Sequence, residues 1–240
     1  PWDGQQDIAR GVIRVLHSAS FQDDATRILR AIRYEQRLGF DLDSATEDHL
    51  RRDLSMLTTI SGDRLRREMD IVFREEKAAA ILMRLARLDV LSNLHPSLPD
   101  PSTLDERLQR LALMNNPMHP LHFLGLLVYS MASPYVEEFV RRLNMPVTWA
   151  RMVRDVARSE DAVRGIDANT SAGRVYDLLR PLNIRALHVV GALTREKTAR
   201  ENVQTYVSTW RHTRTLLNGH DLALLGVPQG PQVGELSKVK

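Results

Sequence analysis

The sequence predicts an all-α protein, an elongated array of about ten to twelve helices. Apolar residues recur at helical spacing in nearly every segment after residue 20. The connections between these segments are short and rich in Pro, Asn and Gly, as expected for helices that pack against their chain neighbours. No unit of fixed length repeats along the chain, so a regular solenoid is not expected.

Residues 11–17 alone have the branched side chains and the partial alternation of a β-strand. A strand needs a partner, and no second strand pattern follows, so we expect an orphan strand. Together with a chain that starts at Pro1, this predicts a fragment whose missing head domain, with its sheet, lies upstream in a longer protein. Two alternatives are a strand that pairs only in a dimer and a segment that is not a strand.

Helix boundaries follow from capping residues. Gly39 can end the first long helix, and Asp43 or Ser44 and then Ser61 are suitable N-caps. The prolines in residues 93–101 break the pattern and mark the predicted boundary between two lobes. The predicted helices cover about residues 24–39, 44–54, 61–74, 77–88, 103–114, 121–131, 135–143, 147–164, 172–179, 184–193 and 195–217.

The composition excludes several classes of protein. The chain has 240 residues, of which 43% are hydrophobic and 26% charged, which excludes a wholly disordered chain. The longest apolar run is far too short to cross a bilayer, so no membrane is expected among its partners. With no signal-peptide pattern, the expected location is the cytoplasm. With no cysteine, disulfides and thiolate zinc sites are excluded.

Arginine dominates the basic residues, with 29 of the 33. Its flat, multi-donor fork suits phosphates and base edges, although a GC-rich genome would produce the same bias. Residues 135–216 contain 14 basic and 9 acidic residues, a net charge of +5. Residues 1–90 contain 15 basic and 16 acidic residues, a net charge of −1. The basic excess therefore lies in the second half of the chain.

The first long helix carries a row of charged residues on one side. At about 100° per residue these residues share an arc of roughly 120°, opposite a buried apolar face. Asp23 precedes Arg27 by four residues, which would let its carboxylate hold that guanidinium. Asp24 lies at the positive start of the helix, which favours its ionised form. The row consists of Asp23, Arg27, Arg30, Arg33 and Arg37.

A carboxylate beside a guanidinium can read the edge of a nucleobase. Arginine donates to ring nitrogen and carbonyl acceptors, whereas aspartate accepts from an exocyclic amine. Cytosine and adenine each present an amine next to a ring acceptor, so one such pair could select both. The alternative interpretation is a solvated helix face held by salt bridges, which is the commoner origin of a charge row.

This stretch resembles the base-recognition motif of the class II tRNA nucleotidyltransferases, which comprise CCA-adding enzymes and bacterial poly(A) polymerases. The matching residues are Asp23-Asp24-Ala25-Thr26-Arg27, then Arg30 and Arg33. Further similar segments are residues 1–8 with the strand after them, residues 37–40, residues 60–64 with Glu68, and residues 217–235. Asp3 departs from the family's usual glycine, Asp23 from glutamate and His220 from arginine. The family's Gly-Gly-x-x-Arg-Asp segment is absent from the chain, and its Asp-x-Asp metal pair is likewise not expected here.

The resemblance implies the following organisation: residues 1–19 end a nucleotidyltransferase head and its linker, 20–98 form a neck, 99–194 a helical body and 195–240 a truncated tail. It implies that the intact enzyme adds CMP and AMP to tRNA 3′ ends from CTP and ATP without a template. Asp24 and Arg27 would read the base, Arg30 and Arg33 would support that pair or contact phosphate, and Asp23 would anchor Arg27.

The resemblance also implies that catalysis needs parts outside this chain. Magnesium and its carboxylate ligands would belong to the head, so no catalytic residue and no metal ligand is expected here, and the fragment alone is expected to be inactive. The body and tail would grip the acceptor and T arms of tRNA. CCA addition, A addition, CC addition and poly(A) synthesis stay open. A competing class is a stand-alone helical nucleic-acid-binding or adaptor module with no catalytic parent.

Two other features have simpler explanations. His119 and His122 are three residues apart, a spacing found in some metal sites, but no carboxylate flanks them. We expect ordinary histidines at the start of a helix. Trp149 and Trp210 have apolar neighbours at helical spacing, which favours packing over stacking on a base.

Overall fold

A computed structural model of the chain describes residues 3–114 and 117–213. It confirms the all-α class, since helices make up most of this part and the strands have two residues each. The α-helices are α1 (Gly4–Arg10), α2 (Ser20–Asp23), α3 (Thr26–Leu38), α4 (Ser44–Arg52), α5 (Gly62–Arg74), α6 (Ala78–Arg87), α7 (Val90–Leu94), α8 (Pro101–Ala112), α9 (Pro120–Val128), α10 (Ser133–Arg142), α11 (Val147–Arg164), α12 (Ala172–Leu179), α13 (Ile184–Leu193) and α14 (Lys197–Ser208). Leu54–Thr59 and Trp210–His212 are 3-10 turns.

The predicted orphan strand has a partner, which corrects the sequence-based expectation. Strand β1 (Val12–Ile13) pairs in parallel with β2 (Asp41–Leu42). The backbone N–H of Asp41 donates to the Gly11 carbonyl at 2.8 Å. Helices α2 and α3 form the connection between the two strands. A two-residue strand that contains an aspartate has no alternating pattern, which is why the sequence did not reveal it.

Most predicted helix ends agree with the structure to within about two residues. α11, α12 and α13 have the predicted bounds. Gly39 ends α3 in the left-handed region at φ 69°, as a C-terminal glycine does. α3 starts two residues later than predicted, because Asp24 is extended at φ −152° and separates α2 from α3. The predicted final helix is shorter, and residues 214–240, including the similar segment 217–235, lie outside the described residues.

One continuous apolar core joins the helices on both sides of the proline-rich segment. The ring of Phe73 on α5 lies 5.6 Å from that of Trp149 on α11 and 6.4 Å from that of Phe123 on α9. Trp149 is buried, so it packs as the sequence predicts. Within the described ranges, no helix combines the length and the apolar character that crossing a bilayer requires.

Polar contacts also join the two parts of the chain. Arg142, at the end of α10, donates to the carbonyls of Leu57 and Ile60 at 2.7 and 3.1 Å. Gly62 packs directly against the backbone at the end of α10. A Cβ at this position would lie 2.9 Å from the carbonyl carbon of Leu143, so a larger residue would not fit without a shift. These contacts position α5, and therefore the site on α3 that packs on it.

Candidate functional site

The break between α2 and α3 places Asp24 at the first turn of α3. One of its carboxylate oxygens, Oδ1, accepts hydrogen bonds from the Thr26 backbone at 3.0 Å, the Thr26 hydroxyl at 2.7 Å and Arg64 Nη2 at 2.8 Å. Among the described residues, Oδ2 has no donor. Asp24 is therefore held through one oxygen, and the other remains an open acceptor.

Asp24 is ionised over the physiological range. Partial burial works against the charge, but the Thr26 hydroxyl, the Thr26 backbone and the Arg64 guanidinium together hold the pKa of Asp24 below its ordinary value. A carboxylate that accepts hydrogen bonds and cannot donate them suits an amine on a ligand.

Arg27, the second residue of α3, is exposed. Its Nη1 donates to the Ser20 carbonyl at 3.0 Å, which ties α3 back to α2. In the described part of the chain its other guanidinium nitrogens have no acceptor. Arg27 is thus oriented by one hydrogen bond and keeps free donors on the same turn of helix as Asp24.

The expected contact between Asp23 and Arg27 is absent, which corrects the prediction that Asp23 anchors Arg27. Asp23 ends α2 and Arg27 belongs to α3, so the extended Asp24 between them removes the spacing of a single helix. The Asp23 carboxylate instead lies 3.4 Å from Nε2 of His17. The carbonyl of Ser20 takes the anchoring role that was assigned to Asp23.

Arg30 connects α3 to α5. Its Nε donates to Glu68 Oε1 at 2.8 Å, while about half of the Arg30 side chain stays exposed. Glu68 is buried, and its second oxygen, Oε2, has no partner among the described residues. The Glu68 hydrogen bond raises the pKa of Arg30 above its ordinary value. Glu68 thus fixes the position of the Arg30 guanidinium, and the supporting role of Arg30 stays a prediction.

Arg33 does not belong to an exposed row, which corrects the predicted arc of guanidinium groups. It is 7% exposed, and its Nη1 donates to Glu75 at 3.0 Å. Its guanidinium carbon lies 4.5 Å from the centre of the Tyr34 ring. The α3 face that packs on α5 is wider than the helical wheel suggests, so it covers Arg33. A buried ion pair of this kind supports the helix pair and leaves Arg33 out of reach of a phosphate.

Sequence reasoning gave no role to the residues that hold this site in place. Arg64 and Glu68 were parts of a similar segment only, yet they bind Asp24 and Arg30 across about forty positions of chain. Glu35 and Arg84 form a second buried pair, at 2.9 Å, beneath α3. Ion pairs between distant helices leave no periodic signal in a sequence, so only the helix arrangement reveals them.

The histidines form a packed cluster. The His119 side chain caps the start of α9 by accepting from the Leu121 backbone at 3.1 Å, as expected for a histidine at a helix start. His122 Nε2 lies 3.3 Å from His188 Nδ1, and burial lowers the pKa of His122 to about 4. No group of three or more possible metal-binding side chains occurs within residues 3–114 and 117–213.

Magnesium therefore does not fit the described residues. Asp41 and Asp43 do form an Asp-x-Asp sequence. However, Asp43 caps α4 by accepting from the Thr46 backbone at 3.3 Å, and no further carboxylate of the described part joins them in a group. Asp24 and Arg27 pair a carboxylate with a guanidinium at the start of α3, and within the described residues neither belongs to a group of possible metal ligands.

Comparison with known proteins finds similar sequences among tRNA nucleotidyltransferases. Residues 39–100 match the family model described as the probable RNA and SrmB-binding site of polymerase A. The A-adding tRNA nucleotidyltransferase of Geobacter sulfurreducens is 31% identical over 258 residues, covering 96% of this chain and 28% of that protein. The CCA-adding enzyme of Lactiplantibacillus plantarum is 27% identical, covering 98% of this chain and 59% of that protein.

Solved structures give the same result. The Thermotoga maritima CCA-adding enzyme complexed with tRNA is 26% identical with a TM-score of 0.81, covering 99% of this chain and 61% of that one. Complexes of a CCA-adding enzyme with ATP and with CTP have TM-scores of 0.80 and 0.79 at 26% identity, and in each the match covers 98% of this chain and 59% of the other. The chain thus spans between about a quarter and three fifths of the length of these relatives. It belongs to the class II tRNA nucleotidyltransferase and bacterial poly(A) polymerase family.

Proposed function

We propose that this chain is the RNA-binding and nucleotide-selecting part of a template-independent tRNA nucleotidyltransferase, which adds CMP or AMP to tRNA 3′ ends. The observation that carries the proposal is the pair at the start of α3: Asp24, held through Oδ1 with Oδ2 open, beside Arg27, which is oriented by Ser20. The similar enzymes that were solved with ATP and with CTP support a nucleotide as the ligand.

The pair selects a base by its hydrogen-bonding pattern. Asp24 Oδ2 accepts from the exocyclic amine, and the free nitrogens of Arg27 donate to the neighbouring ring nitrogen. Uracil presents a carbonyl in place of the amine, which would set its oxygen against the carboxylate. ATP is the substrate that the A-adding and CCA-adding relatives have in common by their names.

The chemistry of transfer is proposed to take place on residues outside this chain. Magnesium, which stabilises charge on the phosphates in transfers of this kind, would be held by carboxylates of a head domain. Residues 20–98 would then serve as the neck, 99–194 as the body and 195–240 as the tail. The basic excess of the second half favours contacts with the backbone of the acceptor and T arms of tRNA, in the cytoplasm.

The test is nucleotide choice by variants of the α3 pair. Arg27→Ala should weaken the use of CTP and ATP by about tenfold to a hundredfold, because a charged donor to the base is lost. Asp24→Asn should have an effect of similar size, because an NH2 donor replaces one of the two acceptor oxygens. Arg37→Ala is the matched control, since Arg37 is an exposed arginine near the other end of the same helix.

Two measurements read the result: calorimetric binding of the four nucleoside triphosphates to this chain, and steady-state kinetics in the intact enzyme. If Arg27→Ala leaves CTP and ATP unchanged in both, the base-reading assignment is wrong. If in addition the chain binds RNA without preferring any nucleotide, the stand-alone RNA-binding module becomes the better description.

A further inference from the structure

A cavity of about 380 Å³ lies between α8, the end of α9, α11 and the link from α13 to α14. It shares no residue with the Asp24 and Arg27 site. Arg107 from α8 enters it, with Nη1 donating to the Leu126 carbonyl at 3.0 Å. In the described chain its remaining guanidinium nitrogens have no acceptor. The guanidinium carbon lies 5.5 Å from the centre of the Tyr129 ring, which forms an adjacent wall.

An acceptor stands in the same cavity. Glu160 on α11 is 7% exposed and accepts from the Ser130 backbone at 2.7 Å and from the Ser130 hydroxyl at 3.3 Å. Arg164 Nη2 lies 3.8 Å from Glu160 Oε2, too far for a hydrogen bond, so each Glu160 oxygen keeps a lone pair for another donor. Burial raises the pKa of Glu160 and lowers that of Arg107, so the two groups stand in a poorly solvated place where a ligand's hydrogen bonds are strong.

The remaining surface divides into an apolar wall and a charged rim. Val163, Val190 and Leu193 supply the wall. Arg164 and Arg195 lie at the rim with their side chains 71% and 77% exposed. Arg164 Nη1 donates to Asp161 at 3.1 Å and Arg195 Nη2 to Glu106 at 3.0 Å, and the remaining nitrogens of both have no hydrogen-bond acceptor among the described residues. Over the whole lining, four arginines face three glutamates, which leaves one positive charge in excess. The cavity volume falls in the range of small-molecule sites, about 300–1,000 Å³.

We infer that this cavity binds a nucleoside phosphate, with the base between Arg107 and Glu160 and the phosphate at Arg164 and Arg195. The apolar wall fits the face of a planar ring, and the free donors of Arg107 with the acceptor Glu160 match a base edge that carries both acceptors and an amine. The exposed rim guanidinium groups fit a phosphate that points to solvent. The ligand can be a free nucleotide or a single nucleotide of a bound RNA.

The inference is tested on the full chain with Asp24→Asn and Arg27→Ala already present, so that α3 contributes no binding. AMP, CMP, GMP, UMP and adenosine are the probes, and NMR titration gives each dissociation constant. We expect AMP and CMP to bind at one site and Arg107→Met to weaken both by about tenfold or more, since a charge-assisted hydrogen bond is lost. Arg174→Met on α12 is the matched control and should change nothing.

Variants of the two rim arginines give a second, independent test in case Arg107→Met disturbs the end of α9. Arg164→Ala with Arg195→Ala should weaken AMP severalfold and leave adenosine unchanged, because only AMP has a phosphate. Competition with tRNA distinguishes the sources: displacement of AMP assigns the cavity to a nucleotide of the RNA, and joint binding assigns it to a free nucleotide. If no mononucleotide binds in the α3 double variant, or if folded cavity variants bind AMP like their parent, the inference is wrong.

Discussion

At the residue scale, the structure gives the arginine bias a physical use that composition could not reveal. Many guanidinium groups donate to backbone carbonyls at helix ends and turns: Arg27, Arg52, Arg66, Arg107, Arg110, Arg142 and Arg200 do so. A carbonyl at the end of a helix lacks an intrahelical donor, and a long side chain with five N–H groups can satisfy it while keeping others free. Arginine here therefore binds the protein's own backbone as well as carboxylates.

The buried imidazole pair predicts how stability depends on pH. His122 is neutral in the folded chain, with a pKa of about 4 against an ordinary value of 6.5, because burial and the neighbouring His188 oppose its charge. The unfolded chain takes up the proton first, so the free energy of unfolding should fall as the pH drops from about 6.5 to about 4. Urea denaturation at a series of pH values measures this slope.

The His122→Phe variant should show a shallower slope over the same pH range, because one proton-linked group is removed. Phe123→Leu, a change at the neighbouring buried position, is the control: it should lower stability by a similar amount at every pH. Equal slopes in the wild-type chain and His122→Phe would show that His122 is not the linked group.

At the element scale, α3 depends on α5 and α6 for its position. Arg30 and Arg33 bind Glu68 and Glu75, and Arg84 on α6 reaches back to Glu35 on α3. Arg84 also pairs with Glu47 on α4 at 2.6 Å, so its two ion pairs join α3, α4 and α6. The turn at the start of α3 that carries Asp24 and Arg27, which we propose reads the base, is held by these ion pairs as well as by the apolar core.

Arg84→Met should therefore destabilise the chain by about 3 kcal/mol, since it leaves the buried Glu35 carboxylate without its partner. Replacing Glu35 by Met in the same chain should recover part of the loss, because the uncompensated charge is then gone. Arg87→Met on the exposed side of α6 is the control and should stay within about 0.5 kcal/mol of wild type. Midpoints of urea unfolding give all three values. A loss below about 1 kcal/mol for Arg84→Met would show that the Arg84 ion pairs contribute no more than solvent-exposed pairs do.

The elements also show what the sequence could predict. Apolar periodicity and caps predicted α11, α12 and α13 with their bounds, because Pro146, Ser171 and Asn183 mark their starts and each helix buries apolar residues at helical spacing. The short α1, α2, α7 and β2 were missed, since fewer than two or three turns, or two strand residues, carry no period. At the site the sequence placed Asp24 and Arg27 together, but the break at Asp24 and the burial of Arg33 depend on how α2 and α5 pack.

At the scale of the whole molecule, positive charge is concentrated in the second half of the chain. The second half holds the net positive charge, and several of its exposed arginines, including Arg174 and Arg180, have no ion pair within the described residues. Guanidinium groups free of carboxylates can each bind a phosphate and release a counterion. In the first half, by contrast, most arginines form ion pairs with carboxylates of that half, some within one helix and some between helices.

Binding of tRNA to this chain should accordingly be weak, tolerant of tRNA identity and steeply dependent on salt, because each phosphate contact releases a counterion. Replacing Arg174 and Arg180 by Ala should reduce the slope of log affinity against log salt concentration by about one to two. The control variant, Arg10→Ala with Arg37→Ala, removes the same charge from exposed positions in the first half, so it should leave the slope almost unchanged. Fluorescence anisotropy with labelled tRNA at salt concentrations between about 50 and 200 mM measures these slopes. Equal reductions in both variants would mean that total charge, and not the surface of the second half, governs RNA binding.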